Sequence, residues 1–141
     1  MDTKNFDRAE LIRAALDCIG NSYAPYSGFN VAAAVLAGSG AVYTGVNVEN
    51  ASYPAGICAE RTAISRAVSC GEREIAAVAI VSGRGGIPGT FCPPCGICRQ
   101  VMREFCDPEK LKVIIAVSPE EYRELTLAEL LPESFGPEAL K

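Results

Sequence analysis

The chain has 141 residues, of which 49% are hydrophobic and 21% are charged, a balance typical of one globular domain and unlike that of a disordered chain. Its net charge is -4 and its lysines and arginines are scattered, which argues against a nucleic-acid-binding surface and favours a small substrate. The longest apolar runs, residues 31–37 and 76–81, are too short to cross a membrane and the N-terminus lacks a secretory signal, so we expect a soluble, cytoplasmic protein with one domain over residues 1–141.

The first half of the chain predicts a helix, a hairpin and a second helix. Apolar residues at helical spacing indicate a helix over residues 7–19. After a loop, residues 31–37 and 41–48 predict two strands joined by a glycine-rich turn. An alanine-rich segment then predicts a helix over residues 57–70.

The second half predicts two buried strands, each followed by a loop or a turn and then a helix. The continuous apolar run at residues 75–81 is typical of a central strand and is followed by a loop over residues 82–90. A helix over residues 95–105, a strand over 112–117 and a short helix over 126–131 complete the pattern. Strands that alternate with helices in this way predict an α/β domain with helices on the faces of a sheet.

The cysteine content points to metal or thiol chemistry. The chain has seven cysteines and no histidine. In a cytoplasmic protein an odd number of cysteines argues against a fully paired disulfide framework. The absence of histidine excludes Ser-His and Cys-His nucleophiles, and it leaves cysteine as the best ligand for a transition metal, with Asp or Glu as poorer ones.

Three cysteines lie where predicted helices begin. Cys58 precedes one helix, and Cys95 and Cys98 belong to the first turn of another. Helix N-termini stabilise thiolates, and three protein ligands are the arrangement of a catalytic zinc, whereas structural zinc sites have four. The pair Cys95 and Cys98 taken alone would equally suit a closed site completed by Cys92 or Cys106, or a redox pair.

The combination of two short motifs favours the catalytic interpretation. Cys58-Ala59-Glu60 lies upstream of Pro94-Cys95-Gly96-Ile97-Cys98, and C-x-E followed by P-C-x-x-C has the form of the zinc deaminase signature with cysteine as every ligand. The sequence therefore predicts one zinc per chain and a catalytic glutamate that moves protons. Residues two apart on a regular helix face different ways, so this role requires Cys58 to lie at an irregular helix start. The alternative is a surface glutamate in a first helical turn.

Three thiolates would leave the zinc site with a net negative charge, which weakens the metal as a Lewis acid. The two helix N-termini withdraw part of this charge. We hypothesise that Arg61, next to the glutamate, hydrogen-bonds a thiolate and tunes the site. Arg99, next to Cys98, is the competing candidate and is more simply a surface cation.

Several segments, in the same order along the chain, carry a resemblance to a known family. They are Y-S-G-F-N-V at residues 26–31, G-V-N-V-E-N-A-S-Y at 45–53, C-A-E-R-T-A at 58–63, P-C-G-I-C-R-Q-V at 94–101, and L-L-P at 130–132 ahead of Phe135. With these motifs the chain resembles the short, homotetrameric cytidine deaminases. The resemblance implies a single three-layer α/β/α domain with a mixed sheet of about five strands, and zinc-dependent deamination of cytidine and deoxycytidine to uridine and deoxyuridine in pyrimidine salvage.

The resemblance also implies roles for individual residues. Asn47 and Glu49 would bind the ribose hydroxyls, Phe29 would pack against the pyrimidine ring, and Ala59 would contact the substrate. Glu60 would contact N3 and the exocyclic amine. On the residues alone, Phe29 is a core side chain, Asn47 is a polar group at a strand end and Glu49 is a solvated carboxylate.

The resemblance also places some residues at a subunit interface, and a few residues of this chain differ from those usual in the family. Ala51, Tyr53 and Phe135 would reach the sites of neighbouring subunits in the homotetramer. Ala32 stands where the family usually has Gly, which is expected to crowd the strand near the pocket, and Ser65 stands where an aromatic residue is frequent. The remaining cysteines match no ligand position and are interpreted as buried or incidental thiols: Cys18, Cys70, Cys92 and Cys106.

Two other functions remain as alternatives. A three-cysteine zinc deaminase could act on a cytosine-containing antibiotic such as blasticidin S, but a carboxylate at Glu49 favours a ribose diol. A non-enzymatic module with a structural zinc would require four closed ligands. The sequence fits a deaminase that edits polynucleotides less well, because the net charge is negative and a histidine ligand is missing.

Overall fold

The computed structural model describes residues 5–141, which form one five-stranded sheet with helices on both faces. The helices are α1 (Arg8–Cys18), α2 (Ala59–Ser69), α3 (Gly96–Glu104) and α4 (Leu127–Leu130), and the strands are β1 (Phe29–Ala37), β2 (Val42–Val46), β3 (Ile75–Arg84), β4 (Lys112–Ala116) and β5 (Tyr122–Thr126). The strand order is β2-β1-β3-β4-β5, with β3 and β4 parallel and the other neighbours antiparallel. The mixed, five-stranded α/β/α sheet implied by the resemblance is confirmed.

Helix α1 covers one face of the sheet. Its buried side chains, including Ile12 and Ala15, pack against Ala32 and Ala34 of β1. Side chains of a strand alternate between its two faces, so Ala32 points toward α1 and away from the side that carries α2. The expectation that Ala32 crowds the pocket is therefore wrong, since the pocket lies on the α2 side.

Helices α2, α3 and α4 cover the opposite face and form the second core. Ala63 and Ile64 of α2 and Met102 of α3 pack there against the alternate residues of β1 and β3. A Cβ atom at Gly45 of β2 would lie 2.4 Å from the backbone nitrogen of Ala63, so glycine allows α2 to lie directly on the strand. This close contact fixes the beginning of α2 relative to the sheet.

The predicted helices agree with the observed ones to within two residues at each end, and the largest difference lies in a strand. Strand β3 continues to Arg84, into the segment 82–90 that was predicted as a loop, because Ser82, Gly83 and Arg84 pair with the first three residues of β1. Strand β5 was not detected in the sequence, since it is a short edge strand with three exposed residues. Within residues 5–141, no helix is both long enough and apolar enough to cross a membrane.

Candidate active site

The three predicted cysteine ligands meet at the beginnings of α2 and α3. Cys58 is the N-cap of α2, Cys95 is the N-cap of α3, and Cys98 lies in the first turn of α3. Neither cap side chain accepts a capping hydrogen bond from a backbone N–H of its own helix, so both sulfur atoms are free to point toward the third. The Sγ atom of Cys95 lies 3.9 Å from that of Cys58 and 3.5 Å from that of Cys98, and all three lie within 4.8 Å of one another.

This thiol cluster fits a zinc ion. Zinc bound to thiolates at about 2.3 Å in a tetrahedron places neighbouring sulfur atoms roughly 3.8 Å apart, which is close to the observed separations. Within residues 5–141, the group of side chains that could hold a metal consists of these three cysteines, and neither Cys92 nor Cys106 joins it. Three ligands without a fourth protein ligand are typical of a catalytic rather than a structural zinc site.

The cluster already favours a thiolate. Hydrogen bonds from Cys98 and from Arg61 lower the pKa of Cys58 to about 5, although burial opposes this shift. The same interaction with Cys58, together with burial, raises the pKa of Cys98. The thiolate is the form that binds a metal ion, so a lowered pKa of Cys58 favours the binding of a cation by the cluster.

Of the two candidate arginines, Arg61 contacts the cluster. Its Nη2 atom donates to Cys58 Sγ at 3.5 Å, and this contact is the main cause of its raised pKa. Arg99 instead donates from Nε to the Pro94 carbonyl and from Nη1 to the Leu130 carbonyl, both at 2.8 Å. Arg99 therefore ties the beginning of α3 to the end of α4 and is not a surface cation.

Glu60 is buried beside the cluster. It lies in the first turn of α2, its side chain is 4% exposed, and it lines the same cavity as Cys58 and Cys95. The two motif residues share this cavity because Cys58 is an extended N-cap residue, with ψ of 153°, and not a helical one. Burial, with a smaller contribution from the charge on Cys58, raises the pKa of Glu60 to about 7. The alternative of a solvated surface glutamate is wrong.

The cavity in front of the cluster has the size of a small-molecule site, with a volume of about 370 Å³. It is lined by Cys58, Glu60 and Cys95, which we call its metal-binding end, and by Ser27 and Glu49, which we call its acidic end. Its apolar lining includes residues predicted as substrate contacts and their neighbours: Phe29, Val31 and Ala59. The cavity therefore combines side chains that can bind a metal with an acidic group and an apolar lining.

Glu49 forms the acidic end and is held by the loop that precedes β1. Its Oε1 atom accepts the backbone N–H groups of Tyr26 at 3.0 Å and Ser27 at 3.1 Å, and its Oε2 atom accepts the Ser27 hydroxyl. These hydrogen bonds, that of the Ser27 hydroxyl first, lower the pKa of Glu49 and keep it ionised. A carboxylate can accept about four hydrogen bonds, so Glu49 has room for one from a ligand.

Asn47 lines the cavity but already has several partners in the protein. Its Nδ2 atom donates to the Phe29 carbonyl at 2.9 Å, while its Oδ1 atom accepts the Val31 N–H at 3.0 Å and the Ser22 hydroxyl. A ligand contact from Asn47 would therefore use the second amide hydrogen. The hydrogen bond to Phe29 also fixes the backbone of the residue predicted to pack against the base.

The residues predicted to serve neighbouring subunits lie on the surface. Tyr53 is 77% exposed and makes an edge-on contact with Tyr26, with the ring centroids 6.1 Å apart. It lines a second depression that shares Ser27 and Glu49 with the cavity. Ala51 is exposed in the same loop as Tyr53. Phe135, in the segment after α4, is 60% exposed. Neither Ala51 nor Phe135 lines the cavity.

The cavity also contains residues that sequence reasoning missed. Ser27 belongs to the Y-S-G-F-N-V motif, which was the available indication that it is part of the site. Its hydrogen bonds to Glu49 could not be read from the sequence because they form only in the folded chain. Cys92 lines the cavity beside Pro93, although it was interpreted as an incidental thiol. Its place three residues before Cys95 was the available signal.

Comparisons with known proteins give a consistent result. The family model of the cytidine and deoxycytidylate deaminase zinc-binding region matches residues 6–115. A cytidine deaminase of Halalkalibacterium halodurans is 44% identical over 132 residues, which are 94% of this chain and 96% of the relative. The crystal structure of cytidine deaminase from Burkholderia pseudomallei superimposes with a TM-score of 0.79 at 41% identity, covering 89% of this chain and 97% of that chain. The structure of the Mycobacterium tuberculosis cytidine deaminase gives a TM-score of 0.80 at 38% identity, covering 94% and 99%.

Proposed function

Because the chain belongs to the cytidine and deoxycytidylate deaminase family, we propose that it converts cytidine and deoxycytidine to uridine and deoxyuridine. Water adds to C4 of the cytosine ring, the bond between C4 and the exocyclic amine breaks, and ammonia leaves. The observation that carries this proposal is the buried Glu60 beside the three-cysteine cluster, in the cavity whose acidic end is formed by Glu49.

Zinc held by Cys58, Cys95 and Cys98 would polarise the water molecule for attack and lower its pKa. The Glu60 carboxylate accepts a proton from this water and transfers it to N3 of the ring. Glu60 then moves a second proton to the amine, so that ammonia rather than an amide anion leaves. A pKa near 7 suits a group that both accepts and donates a proton at neutral pH.

The rest of the cavity binds and orients the nucleoside. Phe29 packs against the pyrimidine ring and Ala59 contacts the same end of the substrate. Glu49 accepts a hydrogen bond from a ribose hydroxyl, with Asn47 beside it. A charged acceptor at the sugar end favours a nucleoside over the antibiotic substrate of the alternative, which lacks the ribose diol.

Glu49→Gln tests the sugar end of the cavity. Hydrogen bonds to charged groups contribute about 1.5–3 kcal/mol, so the KM for cytidine is expected to rise about 10- to 100-fold with a smaller change in kcat. The KM for 2′,3′-dideoxycytidine, which lacks both hydroxyls, is expected to change little. Steady-state kinetics with both nucleosides measure this, and Glu120→Gln, at an exposed glutamate between β4 and β5, is the control. Equal losses for both nucleosides would show that Glu49 does not bind the sugar.

Arg61→Ala tests the charge on the metal site. Without the guanidinium the thiolate of Cys58 keeps its full charge, so kcat is expected to fall about tenfold while zinc stays bound, a loss equal to about 1.4 kcal/mol. Turnover and zinc content are measured together, with Arg66→Ala, an exposed arginine on the same helix, as the control. Unchanged kinetics would contradict a tuning role for Arg61.

A direct assay tests the proposed activity itself. The ultraviolet spectrum of cytidine changes on conversion to uridine, so purified protein is expected to produce this change and to lose the activity with a strong zinc chelator. No change with cytidine or deoxycytidine at one zinc per chain would refute the proposal and favour a structural-zinc module. Deamination of blasticidin S without deamination of nucleosides would favour the antibiotic alternative.

We further propose a homotetramer in which Ala51, Tyr53 and Phe135 complete the sites of neighbouring subunits. The large exposed aromatic surfaces of Tyr53 and Phe135 support this arrangement, since such side chains are commonly buried at interfaces. Light scattering is expected to give the mass of four chains, and a monomer with full activity would contradict it. We also propose that the protein is cytoplasmic and acts in pyrimidine salvage.

A further inference from the structure

A fourth thiol lies at the metal-binding end of the cavity without belonging to the metal cluster. Cys92 lines the wall together with Pro93, close to Glu60, Cys58 and Cys95. It is not among the three cysteines whose sulfur atoms lie within 4.8 Å of one another. Burial raises the pKa of Cys92, so at neutral pH it presents an uncharged, weakly polar surface.

The backbone on both sides of Cys92 is anchored. On one side, the Thr90 hydroxyl pairs at 2.9 Å with the hydroxyl of the buried Ser82 of β3. On the other, the carbonyl of the buried Pro94 accepts the Arg99 Nε hydrogen bond at 2.8 Å. Cys92 lies two residues from each anchor, so the backbone that carries it is held to β3 on one side and to α3 on the other.

The place of Cys92 determines which part of a substrate it faces. The reacting carbon C4 must lie at the metal-binding end, beside Glu60 and the thiol cluster. Carbon C5 of cytosine is bonded to C4, so any substituent on C5 lies at the same end of the cavity. Resting on the proposed function, we propose that Cys92 is a specificity-determining residue that sets the size of the C5 substituent accepted by the enzyme.

The proposal is tested with 5-methylcytidine and cytidine as paired substrates. The measured quantity is the ratio of kcat/KM for 5-methylcytidine to kcat/KM for cytidine. Cys92→Ala enlarges the wall and is expected to raise this ratio, while Cys92→Leu fills the space and is expected to lower it. One methyl group in a pocket changes selectivity about 10-fold or more, so the two variants are expected to differ by at least that factor.

The control is Cys106→Ala, which removes another half-buried thiol that packs against the core and does not line the cavity. Its ratio is expected to match that of the unmodified protein. A ratio that stays within a factor of two in both Cys92 variants, at one zinc per chain, overturns the proposal. If Cys92→Leu fails to fold, the comparison of Cys92→Ala with the unmodified protein decides. Failure of the unmodified protein to deaminate cytidine would refute the proposed function instead.

Discussion

Glu60→Gln is expected to lower kcat for cytidine by about 10⁴-fold while zinc remains bound at one per chain. Glutamine has nearly the same shape as glutamate, but it can neither accept the proton of water nor deliver one to N3. The zinc content should not change because the side chain is not among the residues that could hold the metal. Single-turnover kinetics and metal analysis of the same sample measure the two expectations together.

The folding stability of this variant provides an independent check. Glu60 is 4% exposed, and burial is the main cause of its raised pKa, so the charged form is disfavoured where it lies. A neutral glutamine is therefore expected to leave the melting temperature unchanged or higher. Glu120→Gln, at an exposed position, is the control for kinetics and stability. Activity that survives in Glu60→Gln would show that another group moves the protons.

Each half of the metal centre could be predicted from the sequence because the geometry at each helix N-terminus is local, and the combination of the two motifs indicated that Cys58 and Cys95, 37 residues apart, belong to one site. Each helix N-terminus places its cap residue in extended backbone, and the spacing of Cys95 and Cys98 spans a single helical turn. Cys58 and Glu60 are two residues apart and share one cavity for the same reason, since one of them precedes the helix. Short spacings at helix ends therefore predicted the proposed ligands and the proposed catalytic glutamate together.

Contacts between distant segments could not be predicted in the same way. Arg61 and Arg99 each lie next to a motif residue, and only tertiary packing directs the first to a thiolate and the second to the Leu130 carbonyl. The bonds between Glu49 and Ser27 likewise join residues 22 positions apart. Patterns of residue type do not record which way such a side chain points.

The errors in the strands have a similar origin. The apolar run that predicted β3 ends at Val81, but Ser82 and Gly83 continue the strand because β1 offers backbone partners. A Cβ atom at Gly83 would lie 1.7 Å from the Ile87 carbonyl oxygen, so glycine at this position lets the next segment fold back on the strand. That segment leads to Cys92, whose place in the cavity was missed with it.

Cys95→Ala is expected to abolish zinc binding and to reduce turnover to the background of the assay. Two thiolates remain after this change, too few to hold zinc in competition with a chelator. Cys95 is the suitable ligand to remove because it is exposed, whereas Cys98 is buried in the core and its loss would also disturb packing. Cys70→Ala, at an exposed cysteine after α2, is the matched control and is expected to retain zinc and activity.

The melting temperatures of the same variants distinguish the effect of losing the metal from the effect of losing a side chain. A ligand that binds only the folded state stabilises it, so a chelator is expected to lower the melting temperature of the unmodified protein and of Cys70→Ala. The chelator should have no effect on Cys95→Ala, which already lacks the metal. A chelator-dependent shift in Cys95→Ala, or zinc at one per chain with full turnover, would show that Cys95 is not a ligand. Because the Sγ atom of Cys95 lies 3.9 Å from that of Cys58 and 3.5 Å from that of Cys98, that result would contradict the three-cysteine site as a whole.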